Sequence, residues 1–180
     1  MRRRILLSNN GGSSYESVDL GLPSGIQWAT CNIGAESETD YGNFYKWKDS
    51  KEWTNDDIYY TYTDTATEIM GLPWRMPTNG DYWELVFNTN FYYVQNFNGS
   101  GVNGLKVENK NDASKYIFFP FNGHMEQQSG HIDLNVGYYW TSSGNRPNGM
   151  YCLMDKQGDL DPASNMFGWY GLLVRGVKDV

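Results

Sequence analysis

The sequence predicts an α+β domain in which short antiparallel strands outnumber helices. Three observations carry this. Glycine, tyrosine and tryptophan are abundant, at 20, 14 and 7 of 180 residues, a composition of turns and strands rather than of a helical bundle. The apolar runs are short and bounded by Gly, Pro or Asn. A helical stripe behind a capping signal stands out in one stretch alone. A chain of this length defaults to a single domain that buries roughly 70% of its unfolded surface.

Residues 1–14 end in Asn9-Asn10-Gly11-Gly12-Ser13-Ser14 and read as a flexible leader, leaving 15–180 as the domain. Met1 to Leu7 opens like a secretion signal, but its apolar segment stops at Ser8, short of the roughly 7–15 residues such a signal needs. Synthesis in the cytoplasm is expected, with a virion or the cell surface reached by another route. Residues 15–34 read as a strand, a Pro23-Ser24-Gly25 turn and a second strand carrying Trp28 into the core. Asp40 to Trp47 holds a Tyr41-Gly42 step followed by an aromatic run. The polar segment 48–70 lacks a helical stripe and is expected to be a long loop with one short strand near 58–63. At Thr78 the pattern changes: Thr78 can cap a helix, Asp81 can return the bond, and Tyr82, Leu85 and Val86 form the buried stripe, ending near Asn88. Beyond the Asn- and Gly-rich loop 96–101, three strands are expected at 102–107, 115–121 and 138–142. Pro120 should close the second of them. His124 and His131 flank a polar loop and read as surface residues.

The formal charge of −7 and a pI near 4.7 argue against a nucleic-acid partner, which calls for clustered basic residues. No apolar run approaches the roughly 18 residues needed to span a membrane. Two cysteines, Cys31 and Cys152, cannot build a disulfide framework; they read as free thiols, with a single bridge as the alternative. No zinc-ligand spacing, nucleophile elbow, phosphate loop or H-E-x-x-H occurs. Asp155, Asp159 and Asp161 read as a solvated acidic turn, with a hard cation as the alternative. Neither catalysis nor a cofactor is expected.

The stretch 137–177 differs from an ordinary loop. Strand-like Tyr139-Trp140-Thr141-Ser142-Ser143 and Gly171-Leu172-Leu173-Val174-Arg175-Gly176-Val177 enclose about 27 residues without a steady period. These mix aromatics with Asn, Ser, Gly and Arg, the composition of recognition surfaces. The order Tyr139-Trp140-x-Ser142-Ser143, Tyr151-x-Leu153, Gly158, Pro162, Gly171-x-x-Val174-Arg175-x-Val177 resembles the C-terminal half of C-type-lectin-fold domains. The opening Val18-Asp19-Leu20-Gly21-Leu22-Pro23-Ser24-Gly25-x-x-Trp28-Ala29-x-x-Asn32-x-Gly34 resembles, more narrowly, a repeated domain of Bacteroides-type bacteria and their phages. The variable proteins of diversity-generating retroelements share this architecture. Trp74-Arg75-x-Pro77-Thr78-x-x-Asp81-x-Trp83-x-Leu85 resembles a pattern also found in formylglycine-generating enzymes, so it marks the fold.

The resemblance implies a C-type-lectin-like fold of twisted antiparallel sheets, one or two short helices and long loops. It implies that the first and last strands pair and that 144–170 forms one exposed face. Its constant positions correspond to Trp140, Ser142, Ser143, Tyr151, Leu153, Gly158, Pro162, Gly171, Val174 and Arg175. The interleaved positions become candidate contacts for an unknown protein or cell-surface ligand: Tyr138, Gly144, Asn145, Arg146, Asn148, Cys152, Asp155, Asn165, Phe167, Gly168 and Tyr170, with Pro147 and Ser164. In such cassettes Asn-type codons are rewritten at their two adenines. They yield every residue in this set but never Trp or Met, which makes Met150, Met166 and Trp169 scaffold or flanking positions unless a different codon is used. Stability would then rest on Trp28, Trp74, Trp83, Phe118 and Trp140. The alternatives are a non-diversified adhesin or structural module and, more remotely, a formylglycine-generating-like oxidase. The latter needs a close cysteine pair, whereas Cys152 stands alone in its region. Trp53-Thr54-Asn55-Asp56 echoes the calcium motif of animal C-type lectins, but Thr54 interrupts it.

Overall fold

Alternating apolar and polar residues in the second half of the chain fold into antiparallel sheets, and the two ends of the chain close one of them. The structure, a computed structural model, describes residues 15–49, 63–126, 133–145 and 147–180, and the backbone of 129–131. The leader 1–14, the Trp53–Asp56 segment, Arg146 and all but the last residue of the strand expected at 58–63 lie outside the described residues.

Ser17–Val18 (β1) and Gln27–Ala29 (β2) form the first hairpin. Its turn is held from outside, because Glu84 accepts both the Ser24 amide at 2.8 Å and the Ser24 hydroxyl at 2.6 Å. Thr65–Met70 (α1) and Trp74–Arg75 (β3) follow, then Asn79–Asn88 (α2) and Thr89–Val94 (β4). After a 3₁₀ turn at Phe97–Gly99 come Gly104–Asn109 (β5), Tyr116–Pro120 (β6), His124–Glu126 (β7) and Ser129–His131 (β8). Val136–Asn145 (β9), Asn148–Asp155 (β10), Leu160–Phe167 (β11) and Val177–Lys178 (β12) complete the chain. The sheets run β1-β2-β12-β3, β4-β5-β6 and β9-β10-β11, with β7-β8 as a separate hairpin. The last strand lies between β2 and β3, with Val177 opposite both Trp28 and Arg75. Its partner from the first hairpin is therefore the second strand, not the first.

The helix cap expected at Thr78 is present in full: Thr78 accepts from the Asp81 amide at 3.1 Å, and Asp81 accepts from the Thr78 amide at 2.6 Å. Asp81 also receives Arg75 at 2.6 Å, and Arg75 reaches Asp179 at 3.1 Å. One guanidinium thus ties β3, the start of α2 and the C-terminal tail. Three expectations need correction. The segment 48–70 holds a helix, α1, capped by Asp64, whose carboxylate also accepts the Met76 amide at 2.9 Å. A helix of six residues is too short to print a stripe on the sequence. β4 was not foreseen, because Thr89–Val94 follows α2 without a break. Trp83 is 36% exposed and stacks on Phe87 at 5.7 Å, so it is no frame residue. Trp47, fully enclosed, takes that place: its Nε1 donates to Thr141 O at 2.8 Å, and its ring fills the space a Cβ on Gly149 would need.

Two apolar clusters make the core. One gathers Leu20, Trp28, Tyr82, Leu85, Leu105, Phe119, Tyr139, Cys152 and Leu173; the other gathers Tyr45, Trp47, Met76, Trp140, Leu172 and Val174. Both cysteines are free. Arg175 is also fully buried. It donates to Asn32 Oδ1 at 2.8 Å, to the carbonyls of Ala29 at 3.0 Å and Thr30 at 2.8 Å, and to Phe118 O at 2.8 Å. Burial pulls the pKa of this guanidinium down, with only neutral neighbours to oppose it.

Tyr82 packs edge-on to Trp28 at 4.9 Å, and its hydroxyl has no hydrogen-bond partner among the described residues. Burial pushes this phenol well above its ordinary pKa, so it stays neutral. Tyr82→Phe keeps the ring and removes an unpaired hydroxyl. Urea unfolding should show stability unchanged or raised by about 1 kcal/mol; a comparable loss would mean that the hydroxyl is bonded.

Candidate functional site

The segment 144–170 is mostly strand. Where the sequence reads as unpatterned, β10 and β11 pair in register from Asn148↔Phe167 to Tyr151↔Ser164, then shift before Leu153↔Asp161. A second shift breaks β9 against β10 between Gly149 and Tyr151. These irregularities erase a period of two from the sequence. The sheet has one face on each core cluster. Tyr139, Cys152 and Met154 join the first, while Trp140 with the half-buried Tyr138, Tyr151 and Met166 joins the second.

The frame beneath this sheet is stitched by main-chain bonds. Tyr45 and Leu172 exchange bonds at 2.9 Å, and Met125 and Gly171 exchange bonds at 2.8 Å. The Trp140 amide donates to Leu173 O at 3.0 Å, and its indole donates to Tyr45 O at 2.7 Å. The α2 start holds the far side: Ser142 N donates to Pro77 O at 2.7 Å, Asn79 N donates to Ser143 Oγ at 3.0 Å, and the Asn79 amide reaches Pro162 O. A strand region tied at so many points moves little.

On this frame five of the expected contacts meet at one rim. Asn145 is exposed beside its partner Asn148 at the tip of the β9–β10 hairpin. Asn148, Asn165, Phe167 and Tyr170 line one open cleft of about 380 Å³ together with His124 and Met166. Phe167, 44% exposed, stacks on Trp169 at 4.2 Å. Tyr138 joins from below, with its ring 4.9 Å from His124 and 5.5 Å from Tyr151, and His124 lies 5.6 Å from Tyr170. Burial raises the pKa of both Tyr138 and Tyr151, so both phenols stay neutral. The Asn148 Oδ1 is buried with no partner among the described residues, an acceptor an incoming N–H or O–H could satisfy.

The remaining expected contacts separate from this rim. Cys152 is fully buried opposite Tyr139, and burial pushes its thiol well above its ordinary pKa; it is a core residue and touches no ligand from there. Asp155 lies seven positions along β10 from Asn148, about 23 Å away. It serves a turn, where its Oδ1 accepts the Gln157 amide at 2.9 Å and the Asp159 amide at 3.2 Å. Gly144 and Gly168 support the rim through backbone alone. A Cβ on Gly144, whose φ is +131°, would meet Asn148 O and Met150 N at 2.9 Å. Gly168 donates to Pro147 O at 2.8 Å and accepts from the Trp47 amide at 2.9 Å.

Sequence reasoning left His124 out of the contact set, as a surface residue flanking a loop. It stands half-buried on β7 opposite His131, in a hairpin too short to alternate visibly. Met166 and Trp169, expected as scaffold or flanking positions, border the rim. Among the described residues no group of three His, Cys, Asp or Glu side chains could hold a metal ion, and no helix is long and apolar enough to cross a membrane. Comparison with family models, curated proteins and solved structures returned no match.

If rim and frame are separable, substitution should divide them. Asn145→Ala and Phe167→Ala should each change stability by less than about 0.5 kcal/mol in thermal unfolding. Trp140→Ala, which removes a buried indole and its bond to Tyr45, should cost about 3–5 kcal/mol. Similar losses in both classes would erase the distinction.

Proposed function

We propose that the chain is a non-catalytic recognition protein of C-type-lectin-like fold. Its rim at 144–170 is the surface rewritten by a diversity-generating retroelement, and its ligand is a protein or cell-surface partner. One observation carries this: Asn145, Asn148, Asn165, Phe167 and Tyr170, which belong to the set rewritable at adenines, converge on a single rim. Residues outside that set, such as Trp47, Trp140 and Met76, fill the core beneath. Side chains projecting from a fixed backbone lose little freedom on binding, and they can be exchanged without unfolding what carries them. The fold assignment draws support from the chain ends sharing one sheet, the capped α2 and the long C-terminal sheet. Cys152 and Asp155 drop out of the contact set, and Gly144 and Gly168 contribute shape. A non-diversified adhesin using the same rim is the second reading, since nothing in the cleft geometry requires variation.

Sequencing beside the gene separates the two. Diversification predicts a near-copy of the 3′ end and a reverse transcriptase gene, with differences confined to adenines of the copy and concentrated at codons 145, 148, 165, 167 and 170. Differences at other bases, or spread through the codons of Trp140 and Val174, would contradict it.

A further inference from the structure

A second cleft lies on a different sheet. In β4-β5-β6, Phe91, Tyr93, Leu105, Val107, Ile117 and Phe119 face the core, so the alternate residues face outward. There Lys106 stands opposite Tyr92, and Glu108 opposite Tyr116. The Lys106 ammonium is 2.9 Å from Glu108 Oε2, 4.5 Å from the centre of the Tyr116 ring and 5.8 Å from that of Tyr92. The Tyr92 hydroxyl donates to the same Oε2 at 3.1 Å. Phe97 closes one end: it stacks on Phe118 at 4.0 Å and meets Tyr116 edge-on at 6.1 Å. Tyr92, Val94, Phe97, Asn98, Lys106 and Tyr116 line a cleft of about 280 Å³.

Two features distinguish this cleft from an ordinary polar sheet face. Its walls are fixed. The loop carrying Phe97 and Asn98 holds Asn96 and Asn98 at φ +51°, a conformation that side chains rarely adopt. Asn96 Oδ1 pins that loop by accepting the Gly101 amide at 2.6 Å, and Asn103 Oδ1 does so by accepting the Asn96 amide at 3.0 Å. Gly104 leaves the room that the Phe118 ring occupies, since a Cβ there would lie 2.5 Å from it. Its charges are also internally balanced. The bond from Lys106 holds Glu108 below its ordinary carboxylate value. Burial pulls Lys106 down, but its bonds to Glu108 and Tyr92 outweigh this and leave it raised. Both groups are therefore charged at neutral pH.

A paired ammonium and carboxylate give little net attraction to a free cation or a free anion. Both still offer hydrogen bonds: the ammonium has three donors of which Glu108 and Tyr92 take two, and both described bonds to Glu108 go to Oε2. Tyr92, 42% exposed, offers a ring surface beside them. Aromatic faces next to fixed donors and acceptors, without net charge, match a neutral ring with an apolar C–H face and a hydroxyl edge. We propose that the Tyr92–Lys106–Tyr116 cleft is a binding site for a neutral pyranose sugar, separate from the β9–β11 rim.

The test is saturation-transfer NMR on the full chain with methyl β-D-glucopyranoside, methyl α-D-mannopyranoside and N-acetyl-D-glucosamine, with acetate and choline as charged controls. At about 10 mM probe, enough to detect millimolar binding, at least one sugar should receive saturation on its ring C–H protons, while acetate and choline receive none. Tyr92→Ala should reduce that transfer about tenfold or more, a difference of about 1.4 kcal/mol. Tyr92→Phe and the distant Phe167→Ala should retain it. Absence of transfer to all three sugars, transfer that survives Tyr92→Ala, or stronger transfer to acetate or choline would overturn the proposal.

Discussion

The fold depends on a buried positive charge that no carboxylate among the described residues neutralises. Arg175, just before the last strand, sends four hydrogen bonds into the end of β2, the loop after it and β6, and lies 4.9 Å from the Phe119 ring. Asn32, which accepts one of those bonds, donates to the Tyr139 hydroxyl at 3.2 Å, and that hydroxyl donates to Pro120 O at 2.7 Å. One guanidinium and two neutral side chains thus join the three larger sheets. Burying a charge costs several kcal/mol unless its donors are filled. Here they are filled by carbonyls that would otherwise face the core unpaired. A lysine could not replace it, because a single ammonium lacks the planar fork that reaches Ala29, Thr30, Asn32 and Phe118 together.

Under the proposed function, this arrangement frees a surface for recognition. With the ends of the chain locked into one sheet and 168–174 bonded to Tyr45, Met125 and β9, the β9–β10 tip and the end of β11 carry little of the folding free energy. The outer cleft on β4–β6 follows the same logic, with aromatic side chains set on strands whose opposite face is core. The two clefts differ in chemistry. The rim is lined by polar and exposed side chains such as Asn165 and Phe167, with Met166 and Tyr170 reaching back to the second core cluster, whereas the outer cleft is built around an ion pair tied to its own walls.

How far this could be read in advance differs by region. The first hairpin and α2 were legible because local chemistry decides them: Pro23-Ser24-Gly25 turns the chain, and Thr78 with Asp81 caps the helix. Arg175 was read as a constant position, but not as a buried hub, since its partners lie as far away as residue 29 in the chain. α1 and β7 were too short to show a period. The long strands β10 and β11 were hidden by register shifts, which interrupt the alternation between the buried Gly149 and the buried Cys152. The rim was legible in composition, through its Asn and aromatic content, but composition cannot tell which way a strand residue points. That is why Cys152 joined the list wrongly and His124 was left off it.

The measurement closest to the central claim is the unfolding free energy of Arg175→Met in urea. The side chain of methionine fills much of the same space but leaves Ala29 O, Thr30 O, Phe118 O and Asn32 Oδ1 without their donor. A loss of about 3–5 kcal/mol is expected, since each buried acceptor left without its donor costs about 1–3 kcal/mol while the cost of burying the charge disappears. A variant within about 0.5 kcal/mol of the parent would show that the sheets are held together by something else.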